Sequence, residues 1–301
     1  MNIEQLNTKH GIANQLEFVE GKGGLPMIQI SSSRAKALIS IHAGQVLSFK
    51  PTHEAEDLMF LSDQAYYHTG KAIKGGAPIC WPWFGADPEG KGLPGHGFVR
   101  NRPWNVVKTE ITGDGDIKVI LGLVDTPETH AIWPHFFTLT QEITIGDSLN
   151  LELITRNTGT DTLSITQAFH TYFRIGAISQ TSVLGLEGCN YIDKVDNSIQ
   201  KQQVDMITIN AEVDRIYLAV PNTLIIDDQA LDRRIQIKSK GNKTAVVWNP
   251  WKKNSTDMAD LQDSDYQRLL CVETTNAADD VIKVAPNNVC RLVANYSVLR
   301  G

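Results

Sequence analysis

The sequence predicts an all-β protein, one large antiparallel β-sandwich carrying a few short helices. Three observations carry that expectation. Short segments of two-residue periodicity recur along most of the chain, helical periodicity is confined to two brief stretches, and no Gly/Ser/Pro linker, long repeat or low-complexity tract interrupts the pattern. Many strands with almost no helix argue for sheet packed on sheet. The chain has 301 residues, and all-β units of this size bury enough surface to need no staples, so a single unit spanning 1–301 is expected.

The predicted strands follow in order. "AKALISI" (35–41), "GQVLSFK" (44–50) and "DLMFLS" (57–62) are short and turn-bounded, and "DIKVILGLV" (116–124), "FFTLTQEITI" (136–145) and "SLNLELITRN" (148–157) come next. In the last, Leu149, Leu151 and Leu153 alternate with Asn150 and Glu152, as a half-buried strand requires. "IGDS" between the last two reads as a tight hairpin in which Gly and Asp supply unusual backbone angles. Further strands are expected at 161–175, 223–228, 233–239, 244–249, 269–274 and 288–299. Thr126 before Pro127 and Glu128 suggests a first helical turn, and "TDMADLQDSDY" (256–266) a second short helix.

Composition bounds the function. Hydrophobic residues make up 42% and charged residues 21%, the formal charge is −6, and there is no long basic run. Nucleic acid and anionic membrane are poor partners for such a chain, whereas a small anion needs only two or three local cations. The polar "MNIEQLNTKHGIANQ" start has no apolar signal core, and no 18-residue apolar run exists, so a cytoplasmic protein is expected. Cys80, Cys189, Cys271 and Cys290 show no metal-like spacing, and Cys80 and Cys271 sit in apolar runs that suit buried thiols.

Two regions depart from plain sandwich chemistry. Residues 71–104 form a long loop rich in Gly, Pro and Trp that also holds Lys74, His96 and Arg100. A loop of this length with so many aromatics reads as a binding loop. In "QAFHTYFRIGA" (167–177), alternation puts Phe169 and Phe173 on one face and His170, Tyr172 and Arg174 on the other. Rings and hydrogen-bonding groups on an open sheet face suit a carbohydrate. "LLCVETTNA" sets Glu273 on the same side of its strand as Leu269 and Cys271. A carboxylate there is either a strand-end surface residue or a general base in a partly dry site. Taken alone, His170 reads sooner as a satisfied histidine of a polar sheet face than as a catalytic group.

The words "KGGAPICWPWFG" (74–85), "LPGHGFVRNRPW" (93–104), "FHTYFRIGAI" (169–178), "VDRIY" (213–217), "VVWNPW" (246–251), "MADLQDSDYQRLLCVETTNA" (258–277) and "VAP" (284–286) occur in sequence. Together they resemble the aldose 1-epimerase (mutarotase) superfamily, in its hexose-6-phosphate branch. The resemblance implies a sugar cleft on one face of a large β-sandwich, and interconversion of α and β anomers through the open-chain aldehyde. It implies His170 as general acid on the ring oxygen and Glu273 as general base on the C1 hydroxyl. Histidine suits that part because its ordinary proton affinity lies near neutrality, so a protonated fraction is expected at pH 7. His96 would steady the sugar and Asp214 would accept hydrogen bonds from its hydroxyls. Lys74 and Arg100 would hold the phosphate, and Arg174 would either brace the site or make a surface ion pair. Neither cofactor nor metal is required, and a monomer is expected.

The chain departs from the family pattern at two positions. Lys74 stands where the motif usually has arginine, keeping the charge but losing the bidentate fork. Gly95 stands where many members carry glutamine. Two alternatives share the fold: an aldose 1-epimerase of neutral sugars, which has no use for Lys74 and Arg100, and a non-catalytic carbohydrate-binding protein, which has no use for an acid and a base. A glycosidase would need two carboxylates flanking the bond, with Asp214 as a forced partner of Glu273.

Overall fold

The nine-stranded and eight-stranded antiparallel sheets that dominate the chain face each other, as seen in a computed structural model that describes residues 2–299. Residues 1, 300 and 301, the ends of the expected 1–301 unit, lie outside the described residues. The nine-stranded sheet includes the meander Ile117–Val124, Phe137–Ile145 and Leu149–Asn157, continued by Val289–Leu299 and Arg233–Lys240. Its alternation is strict: Leu149, Leu151 and Leu153 are fully buried while their neighbours are half-buried. The eight-stranded sheet runs from Ile199–Gln202 through Asn190–Asp193, Val213–Leu218, Thr244–Asn249 and Leu269–Asn276 to Gln167–Phe169 and Ile79–Cys80. A separate four-stranded meander at 16–51 packs onto the same core.

Most predicted strands are observed, with boundaries shifted by a residue or two. Segment 57–62 forms no strand. It makes isolated bridges, Met59 to Phe173 and Leu61 to Gly75, that lash the loop to the eight-stranded sheet. The expected 161–175 strand is broken into Leu163–Ile165, Gln167–Phe169 and Tyr172–Arg174. Its first piece pairs with Ile282–Val284 and the other two with Leu269–Asn276. The 145–148 turn needs glycine for a reason other than backbone angle. Neither Gly146 nor Asp147 has positive φ, but a Cβ on Gly146 would collide with the Asp116 carboxylate.

Helices were read less well. Thr126 caps Pro127–Ile132 as expected, accepting from the Thr129 amide. No helix spans 256–266: the helix there is Trp251–Asp257, and the following residues turn back in a single 3-10 turn at Asp265–Gln267. An unexpected helix, Ile3–His10, is capped by the Asn2 side chain and presses Ile3 and Leu6 on the core.

Two buried hydrogen bonds cross between the large sheets. Thr171 Oγ1 and Tyr296 OH are 2.6 Å apart, and Trp81 Nε1 donates to Thr155 Oγ1 at 3.0 Å. The first fixes the facing of its strand, because holding Thr171 toward the other sheet sends His170 and Tyr172 the opposite way. Tyr296→Phe leaves the Thr171 hydroxyl unpaired and is expected to cost about 1–3 kcal/mol. Urea unfolding should show a lower midpoint at unchanged slope.

Candidate active site

Strand register builds the site floor. Asp214 pairs with Trp248, Trp248 with Cys271, and Cys271 with Tyr172, forming one cross-strand row. The adjoining row is Ile216, Val246 and Glu273. These residues face away from the inter-sheet core, in which Leu270, Val272 and Val247 of the same strands are buried. An antiparallel sheet usually leaves such a face wet. Here every residue of Leu269–Asn276 is buried.

The 71–104 loop supplies the cover. His170 N–H donates to Pro78 O at 2.9 Å and Tyr172 N–H to Gly76 O at 2.8 Å, so the loop lies along the broken strand. On its other side the start of the loop is pressed against segment 57–62 and strand Gln45–Pro51, and Gly75 and Gly76 make room for those backbones. Both have positive φ, and a Cβ on Gly75 would sit 2.5 Å from Phe60 O. Gly76 is equally tight against Val46 O. The glycine pair thus anchors the chain immediately after Lys74.

Between floor and cover lies a cleft of about 520 Å³ lined by both regions, within the range of small-molecule sites. It gathers all six sequence-predicted residues: Lys74, His96, Arg100, His170, Asp214 and Glu273. Lys194, Trp248 and Phe84 also line it. Arg174 is elsewhere, its Nε 3.0 Å from Glu56 Oε2, with both side chains over 40% exposed. It makes the surface ion pair and does not brace the cleft. A second hollow of about 300 Å³ beside Trp83 and Trp133 carries Asp87 and Glu89 but no cation.

His170 Nε2 lies 3.5 Å from Glu273 Oε1. The imidazole stacks on Tyr172, with centroids 4.9 Å apart, and meets His96 edge-on at 5.4 Å. His170 Nδ1 and Glu273 Oε2 are buried without a protein partner. Such atoms are expensive to leave unpaired, and a polar ligand would satisfy them.

Burial dominates the electrostatics. It drives the His170 imidazole well below its ordinary value, reinforced by His96, Arg100 and Lys74. The near-neutral proton affinity expected from histidine's ordinary value is therefore not found. Burial, with Asp214 adding to it, raises the Glu273 carboxyl well above the usual range, while Arg100 opposes. Both shifts favour the neutral side chains, a protonated carboxyl beside an uncharged imidazole. His96 is pushed down to about 3 by burial, then Arg100 and Lys74. Its Nδ1 accepts from the Gly85 amide at 3.3 Å, which leaves Nε2–H as a donor. Asp214 is also raised by burial, with Lys194 opposing.

The two cations are held differently. Lys74 Nζ is 3.4 Å from Asp260 Oδ1, while Arg100 donates to the Gly95 carbonyl at 3.1 Å. Gly95 thus takes part in the site through its backbone carbonyl.

The aldose 1-epimerase family matches residues 26–297, most of the chain. The chain belongs to the aldose 1-epimerase family. It is 36% identical over 256 residues to a candidate glucose-6-phosphate 1-epimerase of Escherichia coli (strain K12), covering 85% of this chain and 84% of that protein. A protein of Cenchrus ciliaris with the same description is 36% identical over 285 residues, covering 91% and 85%. A candidate mutarotase of known structure from Salmonella typhimurium superposes with TM-score 0.90 at 30% identity, over 99% of both chains. This galactose-mutarotase-like fold is the all-β sandwich expected from the strand pattern.

Trp248 was legible only inside a family word, and Lys194 in "DKVD" carries no signal at all, since only sheet pairing brings it to the cleft.

The carboxyl shift has a stability consequence. A raised Glu273 means the folded chain holds a proton that the unfolded chain has lost, so stability falls as pH rises from about 4.5 toward the folded value. Each unit of displacement is worth about 1.4 kcal/mol. Glu273→Gln removes this term. The variant is expected to melt above wild type at pH 7–8, and the difference should close near pH 4 in thermal scans.

Proposed function

We propose that the protein is a hexose-6-phosphate mutarotase of the glucose 6-phosphate 1-epimerase type. The observation that carries this reading is one cleft holding a buried imidazole–carboxylate pair together with two cations, Lys74 and Arg100. The pair serves ring opening and the cations serve the phosphate. The relatives described as glucose-6-phosphate 1-epimerases support the same substrate class.

The reaction needs a proton delivered to the ring oxygen and one removed from the C1 hydroxyl. Transfer of the carboxyl proton from Glu273 to His170 produces an imidazolium acid and a carboxylate base at no change in net charge. A phosphate bound at Lys74 favours this transfer, because Lys74 depresses His170 without acting on Glu273, whereas Arg100 acts on both groups. His170 then protonates the ring oxygen and Glu273 takes the hydroxyl proton. The ring opens, the C1–C2 bond rotates, and reclosure from the other face returns both protons. The His96 Nε2–H and the Asp214 carboxyl steady the sugar hydroxyls. Low exposure of the pair, 8% for His170 and 2% for Glu273, keeps water from competing.

NMR saturation transfer between anomers of glucose 6-phosphate tests the reading, with glucose and galactose in parallel. Fast exchange on the phosphate is expected, with His170→Ala and Glu273→Gln each slowing it by about 10²–10⁴-fold. Arg100→Ala should raise KM about tenfold or more for the phosphate and leave any exchange on glucose unaffected, as expected for a lost charge-assisted contact. Lys74→Arg, which restores the bidentate fork, should lower KM. Equal exchange on free sugars would instead assign the neutral-sugar reaction. No exchange on any sugar would leave only binding.

A further inference from the structure

We propose that His170, Cys271 and Glu273 form a binding site for a soft divalent cation of the zinc type, which occupies the cleft in competition with the sugar and inhibits the enzyme. The ligating atoms of these three buried residues all lie within 4.8 Å of one another. Cys271 has no part in the proton transfers. It sits beneath the pair, between Tyr172 and Trp248 in the cross-strand row, and packs with Leu269, Leu261 and Phe60.

The geometry is close to that of an open tetrahedral site. Zinc bonds of about 2.0–2.3 Å place neighbouring ligands roughly 3.3–3.7 Å apart. The His170–Glu273 edge is already 3.5 Å, and the Cys271 sulfur needs to approach by no more than about 1 Å to complete the triangle. Three protein ligands leave the fourth position open to the cleft, for water.

The donor set selects the ion. Imidazole, thiolate and carboxylate together suit zinc or cobalt(II), whereas magnesium and calcium want oxygen ligands alone and more of them. Lys74 and Arg100 oppose a cation here and Asp214 favours one, so affinity comes from the three ligand bonds and not from the field of the cleft. Burial keeps the Cys271 thiol protonated. The ion must displace that proton and the one on Glu273, so binding releases protons. An ion bonded to both His170 and Glu273 removes acid and base at once.

Metal binding stands apart from the reaction assigned above, whereas inhibition rests on it. The test uses chelator-treated full-length protein and zinc chloride, followed by titration calorimetry, and cobalt(II) chloride, followed by absorption spectroscopy. One zinc per chain is expected, with a thiolate-to-cobalt charge-transfer band that is absent in Cys271→Ser. In anomer-exchange assays zinc should raise KM for glucose 6-phosphate without changing kcat, and magnesium should do nothing. Cys271→Ser should weaken zinc inhibition by about tenfold or more, since loss of even an outer-shell partner costs that much, with inhibition read relative to the variant's own metal-free exchange. Should that variant not fold, the charge-transfer band of wild type alone decides whether the thiol ligates. No stoichiometric binding, no thiolate band, or equal inhibition of Cys271→Ser would overturn the site. Zinc that accelerates the chelated enzyme would overturn the inhibition. Stoichiometric zinc binding with a thiolate band, in a protein without anomer exchange, would support the site and count against the mutarotase reading.

Discussion

Everything in the site depends on one strand being buried along its whole length. Leu269–Asn276 has the inter-sheet core on one side and the 71–104 loop on the other. A carboxylate in such a strand pays heavily for charge, and so does the imidazole beside it. They stand 3.5 Å apart, close enough for a proton to pass between them. A pair in this condition is ready to donate and accept in alternation, which is what reversible ring opening demands.

The remaining architecture keeps that strand covered. The Thr171–Tyr296 and Trp81–Thr155 bonds tie the covered sheet to its partner on either side of His170 in the fold, so the cleft has a rigid floor. Gly75 and Gly76 let the start of the loop press against Phe60 and Val46 at backbone distance, which holds it in place over the sheet. The aromatic residues Tyr172, Trp248 and Phe84 then present ring faces and edges to whatever enters.

Much of this was legible in the sequence. The two-residue alternation of segments such as 149–157 gave the sandwich, because a sheet with one dry face writes its burial pattern directly into the chain. The site residues were found through the ordered family words, since spacing alone could not bring positions 170 and 273 together. What failed had local causes. The 161–175 run alternates like a continuous strand, but hydrogen bonds to other elements break it, and Arg174 ends up with Glu56 at the surface. The helix expected at 256–266 lost to the turn made by Asp265, whose carboxylate takes the Gln262 amide. Proton affinity was misjudged for His170 because burial is a property of the assembled cleft and not of the residue type.

The unequal tethering of the two cations sets an order of events for an anion arriving from solution. Arg100 is held by a neutral carbonyl, so an oxyanion can engage it without breaking an ion pair. Lys74 is shared with Asp260, and an anion must compete for it with a carboxylate 3.4 Å away. In the phosphate-binding role proposed for them, Arg100 would govern capture and Lys74 dwell time. Exchange of Lys74 between Asp260 and the anion also couples the 258–266 turn to occupancy, giving the cleft a latch whose release is paced by a carboxylate outside the chemistry.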